Sequence, residues 1–225
     1  MRFDDVVGRL EALPDPLPPP LDALMPVRLD GLERRPTRWP QDREVPGRPA
    51  AVLVLLYPDE DDEARVVLIE RPTEDGRHHS GEVSFPGGKA EPDDVDAVAT
   101  ALREAEEEVG LDVARSAVRV LGMLERFWIP VSDFAVTPVL AVTHRRPDLV
   151  PSPAEVARIV EPRLATFLPD APISTVERTI RGWPLRYGHY EVDGLSVWGA
   201  TARVLSQLGA VVAATDTSRV DGPRR

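Results

Sequence analysis

The chain has 225 residues and a formal net charge of −11 at pH 7, with 38 acidic against 27 basic side chains. So acidic a balance argues against a nucleic-acid partner, which would need a basic face, and the lack of cysteine excludes disulfides, thiolate metal sites and cysteine nucleophiles. No apolar run reaches the roughly 18 residues of a membrane span, and no charged segment leads into an apolar one at the N-terminus, so the expectation is a cytoplasmic protein with no membrane partner and no signal peptide.

A chain of this length suits one domain with a full core plus appendages. Residues 3–13, FDDVVGRLEAL, read as a short amphipathic helix, and residues 14–20, with Pro14, Pro16 and Pro18 to Pro20, as a stiff extended connector. Residues 1–47 are accordingly set apart as an N-terminal extension. From Arg48 the pattern turns to strands. Ala50–Tyr57 is a continuous apolar run suited to a buried strand, and Ala64–Glu70 is another, with the acidic turn Asp59–Glu63 between them. Glu82–Phe85 reads as a short strand entering the turn Gly87-Gly88. An acidic loop and a glutamate-laden helix ending near Gly110 follow. Ala117–Arg126 and Phe134–Thr143 are the next strands, joined by a loop over Trp128–Asp133. Then come a helix or turn around Glu155–Ile159, a meander from Ile173 to Val192 and a final helix near Gly199–Gly209. Strands with two flanking helices fit an α/β/α sandwich on a mixed sheet spanning 48–212, and the polar tail 213–225 reads as disordered.

The chemistry concentrates on the helix before Gly110. At about 100° per residue, Val98, Leu102, Ala105 and Val109 share a narrow arc while Glu104, Glu107 and Glu108 lie on the far side. Three glutamates on one helix face are most often a solvated surface. Spaced at i, i+3 and i+4, however, they repel by a few tenths of a kcal/mol per pair unless a cation sits among them. Mg²⁺ is such a cation: it takes hard oxygen ligands and shares its sphere between carboxylates, waters and substrate phosphates. Arg103 is placed to hold a carboxylate in a fixed orientation. Metal ions also let an acidic protein bind an anionic diphosphate.

The stretch from Gly88 to Leu111 resembles the Nudix box, whose pattern is Gly, five residues, Glu, seven residues, then Arg-Glu-aliphatic-any-Glu-Glu-any-Gly-aliphatic. The second half matches from Arg103 to Leu111, with Ala105 at the aliphatic position. In the first half Asp94 stands where the family has Glu, and eight residues rather than seven separate it from Arg103. Aspartate keeps the carboxylate, and Asp93 or Asp94 is the expected cap of the helix. Six fixed positions at fixed spacing arise by chance on the order of once in 10⁵ chains of this length, so the motif is specific.

Upstream, Val67-Leu68-Ile69-Glu70-Arg71, Arg77 and Gly81-Glu82-Val83-Ser84-Phe85-Pro86-Gly87-Gly88 are similar to the signature that precedes the box in coenzyme A pyrophosphatases. Ile69 replaces a threonine there, Pro72 replaces a small residue, and one extra residue separates Arg71 from Arg77. The extra residue between Gly88 and Arg103 is itself a feature of that subfamily.

The resemblance implies a Nudix-type α/β/α sandwich and hydrolysis of a diphosphate linkage with Mg²⁺ or Mn²⁺, most directly of coenzyme A or an acyl derivative to 3′,5′-ADP and a phosphopantetheine fragment. The metal ions generate the nucleophile and stabilise the leaving phosphate. It also assigns residues. Glu104, Glu107 and Glu108, with the Gly88 backbone, would hold metal; Glu104, Glu107, Arg103 and Glu155 would be catalytic; Arg71, Arg77, Gly87 and Lys89 would bind substrate. Glu155 reads equally as a glutamate at a helix N-terminus, and Lys89, the single lysine, equally as a solvated loop residue. His78 and His79 are surface residues or phosphate contacts; Phe127, Trp128 and Phe134 complete a core or stack on an adenine. An ADP-ribose or other nucleoside diphosphate hydrolase is the alternative within enzymes. A non-catalytic nucleotide sensor is the alternative outside them, although such modules usually lose box glutamates that this chain keeps. The expected partner is a small nucleotide diphosphate, and a homodimer is left open.

Overall fold

The computed structural model describes residues 1–30, 47–73, 81–130, 132–180 and 182–214. In chain order the elements are α1 (Phe3–Leu10), β1 (Val27–Arg28), β2 (Arg48–Pro58), β3 (Ala64–Val66), β4 (Leu68–Glu70), β5 (Val83–Ser84), β6 (Gly87–Lys89), α2 (Ala97–Val109), β7 (Arg119–Met123), β8 (Phe127–Ile129), β9 (Phe134–Val142), β10 (Arg158–Val160), β11 (Ser174–Ile180), β12 (Trp183–Val192), β13 (Leu195–Val197) and α3 (Gly199–Ala213).

The central sheet runs β3-β2-β9-β7. The strand β6 lies beside the first half of β2, and β8 lies beside the start of β9. Its spine is the parallel pair β2 and β9, in register from Arg48 against Phe134 to Leu56 against Val142, and the pairings of β3, β6, β7 and β8 onto that spine are antiparallel. Alternation along a strand sends successive side chains to opposite faces. Ala51, Leu53, Leu55 and Tyr57 therefore pack with Ala101, Ala105 and Val109 of α2. Ala50, Val54 and Leu56 pack on the other face with α1 and α3 through Val6, Leu10, Leu205 and Leu208. This is the mixed-sheet α/β/α sandwich expected from the sequence.

Three local expectations change. Ala64–Glu70 is two strands: β3 pairs with β2, whereas β4 joins β5 and β10 in a small second sheet. The switch falls at Val67, whose amide donates to the Leu55 carbonyl while its side chain is fully buried. Around Glu155–Ile159 there is a turn over 153–155 followed by β10, because the β4 edge offers Glu70, Ile69 and Leu68 as partners to Arg158, Ile159 and Val160. Part of the expected loop over Trp128–Asp133 is strand β8, paired with Phe134–Val136.

The N-terminal helix is bound into the body. Phe3, Val6, Val7 and Leu10 are all buried, and the N-terminal ammonium pairs with Glu63 at 3.2 Å. The proline-rich segment behind it is held by Gln207, whose side-chain amide donates to the Pro18 carbonyl at 3.0 Å. The meander is a separate antiparallel sheet of β1, β12, β11 and β13.

Candidate active site

The site is built where β6 and α2 meet. Gly87 has φ +151°, a conformation L side chains rarely adopt, and a Cβ there would overlap the backbone of Ala51 and Val52. A Cβ on Gly88 would lie 2.6 Å from the Glu104 carboxyl carbon. The two glycines thus let the β6 backbone lie against β2 on one side and against the α2 carboxylates on the other. Glycine is a poor strand former, so the β6 pairing of Val52, Ala51 and Ala50 with Gly87, Gly88 and Lys89 reflects close approach rather than propensity.

Helix α2 is fixed at both ends by side-chain and backbone chemistry. Its cap is Asp96, whose carboxylate accepts from the Ala99 amide at 2.8 Å, in place of the expected Asp93 or Asp94. Asp94 instead locks Arg103, accepting from Nε at 3.1 Å and from a terminal nitrogen at 3.0 Å. Between the two aspartates Val95 turns outward and is 90 % exposed. At the far end Gly110, φ +63°, closes the helix in the left-handed conformation.

Arg103 gathers the site. Beyond Asp94 its guanidinium donates to Glu104 at 3.1 Å, to Glu107 at 3.0 Å and to the Lys89 carbonyl at 3.1 Å. The bond to Asp94, with burial opposing it, holds the guanidinium above its ordinary range and the Asp94 carboxyl well below its own. Asp94 therefore stays charged, and the anchor stays in place, until the pH falls well below the usual carboxylate range.

Glu108, which helical periodicity puts on the open face, is only 2 % exposed. It accepts from the Gly87 amide at 2.8 Å and pairs with Arg71 at 3.2 Å. Burial pushes its carboxyl up to about 7 against the pull of Arg71 and the Gly87 amide, and the negative charges of Glu104 and Glu155 add to the push. Glu104 is raised too, by burial first and then by Glu107 and Glu155, with Arg103 opposing. These four glutamates thus share one electrostatic neighbourhood. Glu155 reaches it from the turn after Ser152, whose amide donates to the Glu108 carbonyl at 2.8 Å and so docks this loop on the end of α2.

Of the remaining expected site residues, Arg71 touches Glu108 and lies 3.5 Å from the Gly87 carbonyl, so it braces the carboxylates. Lys89 extends into solvent with Glu91 at 3.9 Å. Arg77, with His78 and His79, lies outside the described residues. Phe127 packs under the Arg203 guanidinium and Phe134 under that of Arg48, so each ring has a cation on one face.

The donor set suits a hard divalent cation. Among the described residues Glu104 and Glu107 pair with Arg103 and Glu108 with Arg71, and a bound cation would favour the charged forms of Glu104 and Glu108 that burial disfavours. Also among the described residues, no three acidic or histidine side chains are already arranged as a cage around one ion. The carboxylates turn instead to Arg71, Arg103 and the Gly87 amide.

A sandwich with its carboxylate-bearing helix closed on a glycine turn is the Nudix arrangement, and residues 47–165 match the NUDIX domain model. The chain is 39 % identical over 176 residues to Nudix hydrolase 15, mitochondrial, of Arabidopsis thaliana, covering 76 % of this chain and 60 % of that protein. It is 38 % identical over 169 residues to Nudix hydrolase 22, chloroplastic, of the same plant, covering 72 % and 55 %. Nudix hydrolase NudL of Photorhabdus laumondii, named as uncharacterized, is 36 % identical over 149 residues, covering 65 % and 76 %. The chain belongs to the Nudix family. It spans little more than half the length of the two Arabidopsis relatives.

Proposed function

We propose that the protein is a divalent-metal-dependent Nudix hydrolase that cleaves the diphosphate linkage of a nucleoside diphosphate derivative, with coenzyme A or an acyl-coenzyme A as the first substrate and 3′,5′-ADP and (acyl)phosphopantetheine as products. The observation that carries this reading is the convergence of Glu104 and Glu108 on the Gly87-Gly88 turn, with Glu107 held beside them by Arg103 and Glu155 in the same electrostatic neighbourhood. Glu104, Glu107 and Glu108, with the Gly88 backbone, would hold Mg²⁺ or Mn²⁺. When bound, the ion lowers the pKa of water and offsets charge on the phosphoryl oxygens.

The chain's own residues do the rest. Arg103, held by Asp94, orients Glu104 and Glu107. Arg71 and the Gly87 amide orient Glu108. To Glu155, on the exposed turn after Ser152 and close enough to raise the Glu108 carboxyl, this reading gives the role of general base or further metal ligand. The upstream match to the coenzyme A signature, from Val67 to Gly88, supports the substrate; its altered loop between Arg71 and Arg77 keeps ADP-ribose as the second candidate.

The test is a product-resolved screen of the purified protein with Mg²⁺ against coenzyme A, ADP-ribose, dinucleoside polyphosphates and nucleoside triphosphates. The expected result is 3′,5′-ADP from coenzyme A. Turnover of ADP-ribose with none of coenzyme A would overturn the substrate and leave the diphosphate chemistry standing. Turnover of nothing would return the chain to the nucleotide-sensor reading.

A further inference from the structure

The sheet of the meander ends in an open edge. Strand β11 pairs with β12 in unbroken register from Ser174 against His189 to Ile180 against Trp183, and among the described residues no strand lies on its other side. Five of its seven residues are exposed. A hairpin closed by two residues flanks its turn with a hydrogen-bonded pair, here Ile180 and Trp183, so the pairs at Arg178 and Val176 are of that kind too. The amides and carbonyls of Thr175, Glu177 and Thr179 therefore face outward, and among the described residues they have no backbone partner. Open edges are commonly blunted by proline, a bulge or charged side chains. β11 has neither proline nor bulge, so Glu177 and Arg178 alone decide what its edge accepts.

Those charges select a second copy of the chain in one register. Copies related by a twofold axis normal to the sheet pair such an edge antiparallel, each side chain keeping to its own face. Three central positions of the axis engage most of the strand. Through Glu177 the axis sets two glutamates opposite each other, and through Arg178 two arginines, and both are destabilising. Through Val176 it sets Val176 against itself, Thr175 against Glu177 and Arg178 against Ser174. Ser174 already donates to the Glu191 carboxylate at 3.2 Å, and the Glu191 side chain is 73 % exposed. Among the described residues Arg178 has no acid, whereas Arg186 on the neighbouring strand has Glu177 at 4.0 Å. In this register each Arg178 arrives beside the Glu191 carboxylate of the other copy, and the outward groups of Thr175 and Glu177 close a ladder between the copies.

We propose that β11 is the contact strand of a homodimer, in which two copies join their edges about a twofold axis at Val176 and Arg178 of each meets Ser174 and Glu191 of the other. The two hairpins then form one continuous sheet.

The test uses the full chain. Sedimentation equilibrium should give twice the chain mass of 24.8 kDa. Thr175→Pro removes an outward amide without touching the β12 pairing, and should give the monomer with an unchanged circular dichroism spectrum. Arg178→Glu should weaken association by at least about tenfold, because two symmetric attractions become repulsions, and Arg178→Glu/Glu191→Arg should restore it. The register is read by disulfides: the chain has no cysteine, so one introduced thiol can link only copies. Residues facing each other in a non-hydrogen-bonded antiparallel pair have Cα atoms about 4.5 Å apart, within disulfide reach, so Val176→Cys should crosslink well ahead of Glu177→Cys and Arg178→Cys. A monomeric wild type, a dimer that persists in Thr175→Pro, a charge swap that recovers nothing, or crosslinking no stronger at Val176→Cys than at the other two overturns the proposal.

Discussion

The two long helices flank one sheet and are held in opposite ways. In α3 eleven of fifteen residues are buried, the preceding residue Trp198 makes no side-chain cap, and the helix stays in place because Leu205, Leu208 and Val212 fill the core. In α2 only five of thirteen are buried, and the helix is positioned by Asp96 at one end, Gly110 at the other and Arg103 along its side. A helix fixed by apolar volume responds to lost volume with lost stability. One fixed by polar contacts, with charges kept close together, responds to lost charge with lost function. The sheet separates the two tasks.

The strongest way to break this comparison is at the charges of α2. Glu107→Gln and Glu108→Gln should each lower kcat by at least about a hundredfold, some 2.7 kcal/mol on the barrier, with the circular dichroism spectrum retained. Activity within about threefold of wild type in both would remove α2 as the metal site. The counterpart on α3 is Leu205→Ala, which deletes a fully buried side chain. It should cost about 2–3 kcal/mol and lower the melting temperature by roughly 4–12 °C, while kcat of the folded fraction changes less than twofold. A larger kinetic than thermal effect there would show that the division of labour is wrong.

The comparison is sharpened by Asp94, the carboxylate that anchors Arg103. Asp94→Asn keeps the shape and the acceptor for the Glu91 amide but removes the charge facing Arg103. Turnover should fall by about tenfold, at the lower end of the range for an outer partner of a metal ligand, and Asp94→Glu should recover part of it. Wild-type kinetics in Asp94→Asn would mean that Glu104 and Glu107 need no help from Arg103.

Much of this is legible in the sequence, and unevenly so. The box helix, the buried strand at Ala50–Tyr57 and the final helix follow from periodicity, which depends on local sequence alone. The strand break at Val67 and strand β10 depend on which edge is free to pair, a tertiary fact. At the site, sequence spacing brings Arg103 and the three glutamates together. It gives no sign that Glu108 is buried, because that burial comes from the Gly87 turn and Arg71 closing over it rather than from the helix's own periodicity. The cap moves from Asp93 or Asp94 to Asp96 because Arg103 draws Asp94 away.

The central claim is that the glutamates around the Gly87-Gly88 turn form one cation site, and metal binding tests it without reference to any substrate. Mn²⁺ titrated into wild type should bind with release of protons below neutral pH, because the raised Glu108 must give up its proton to ligate, and millimolar Mg²⁺ should raise the melting temperature by mass action. In Glu104→Gln/Glu108→Gln both responses should largely disappear. Equal Mn²⁺ affinity and equal thermal shifts in the two proteins would contradict the account.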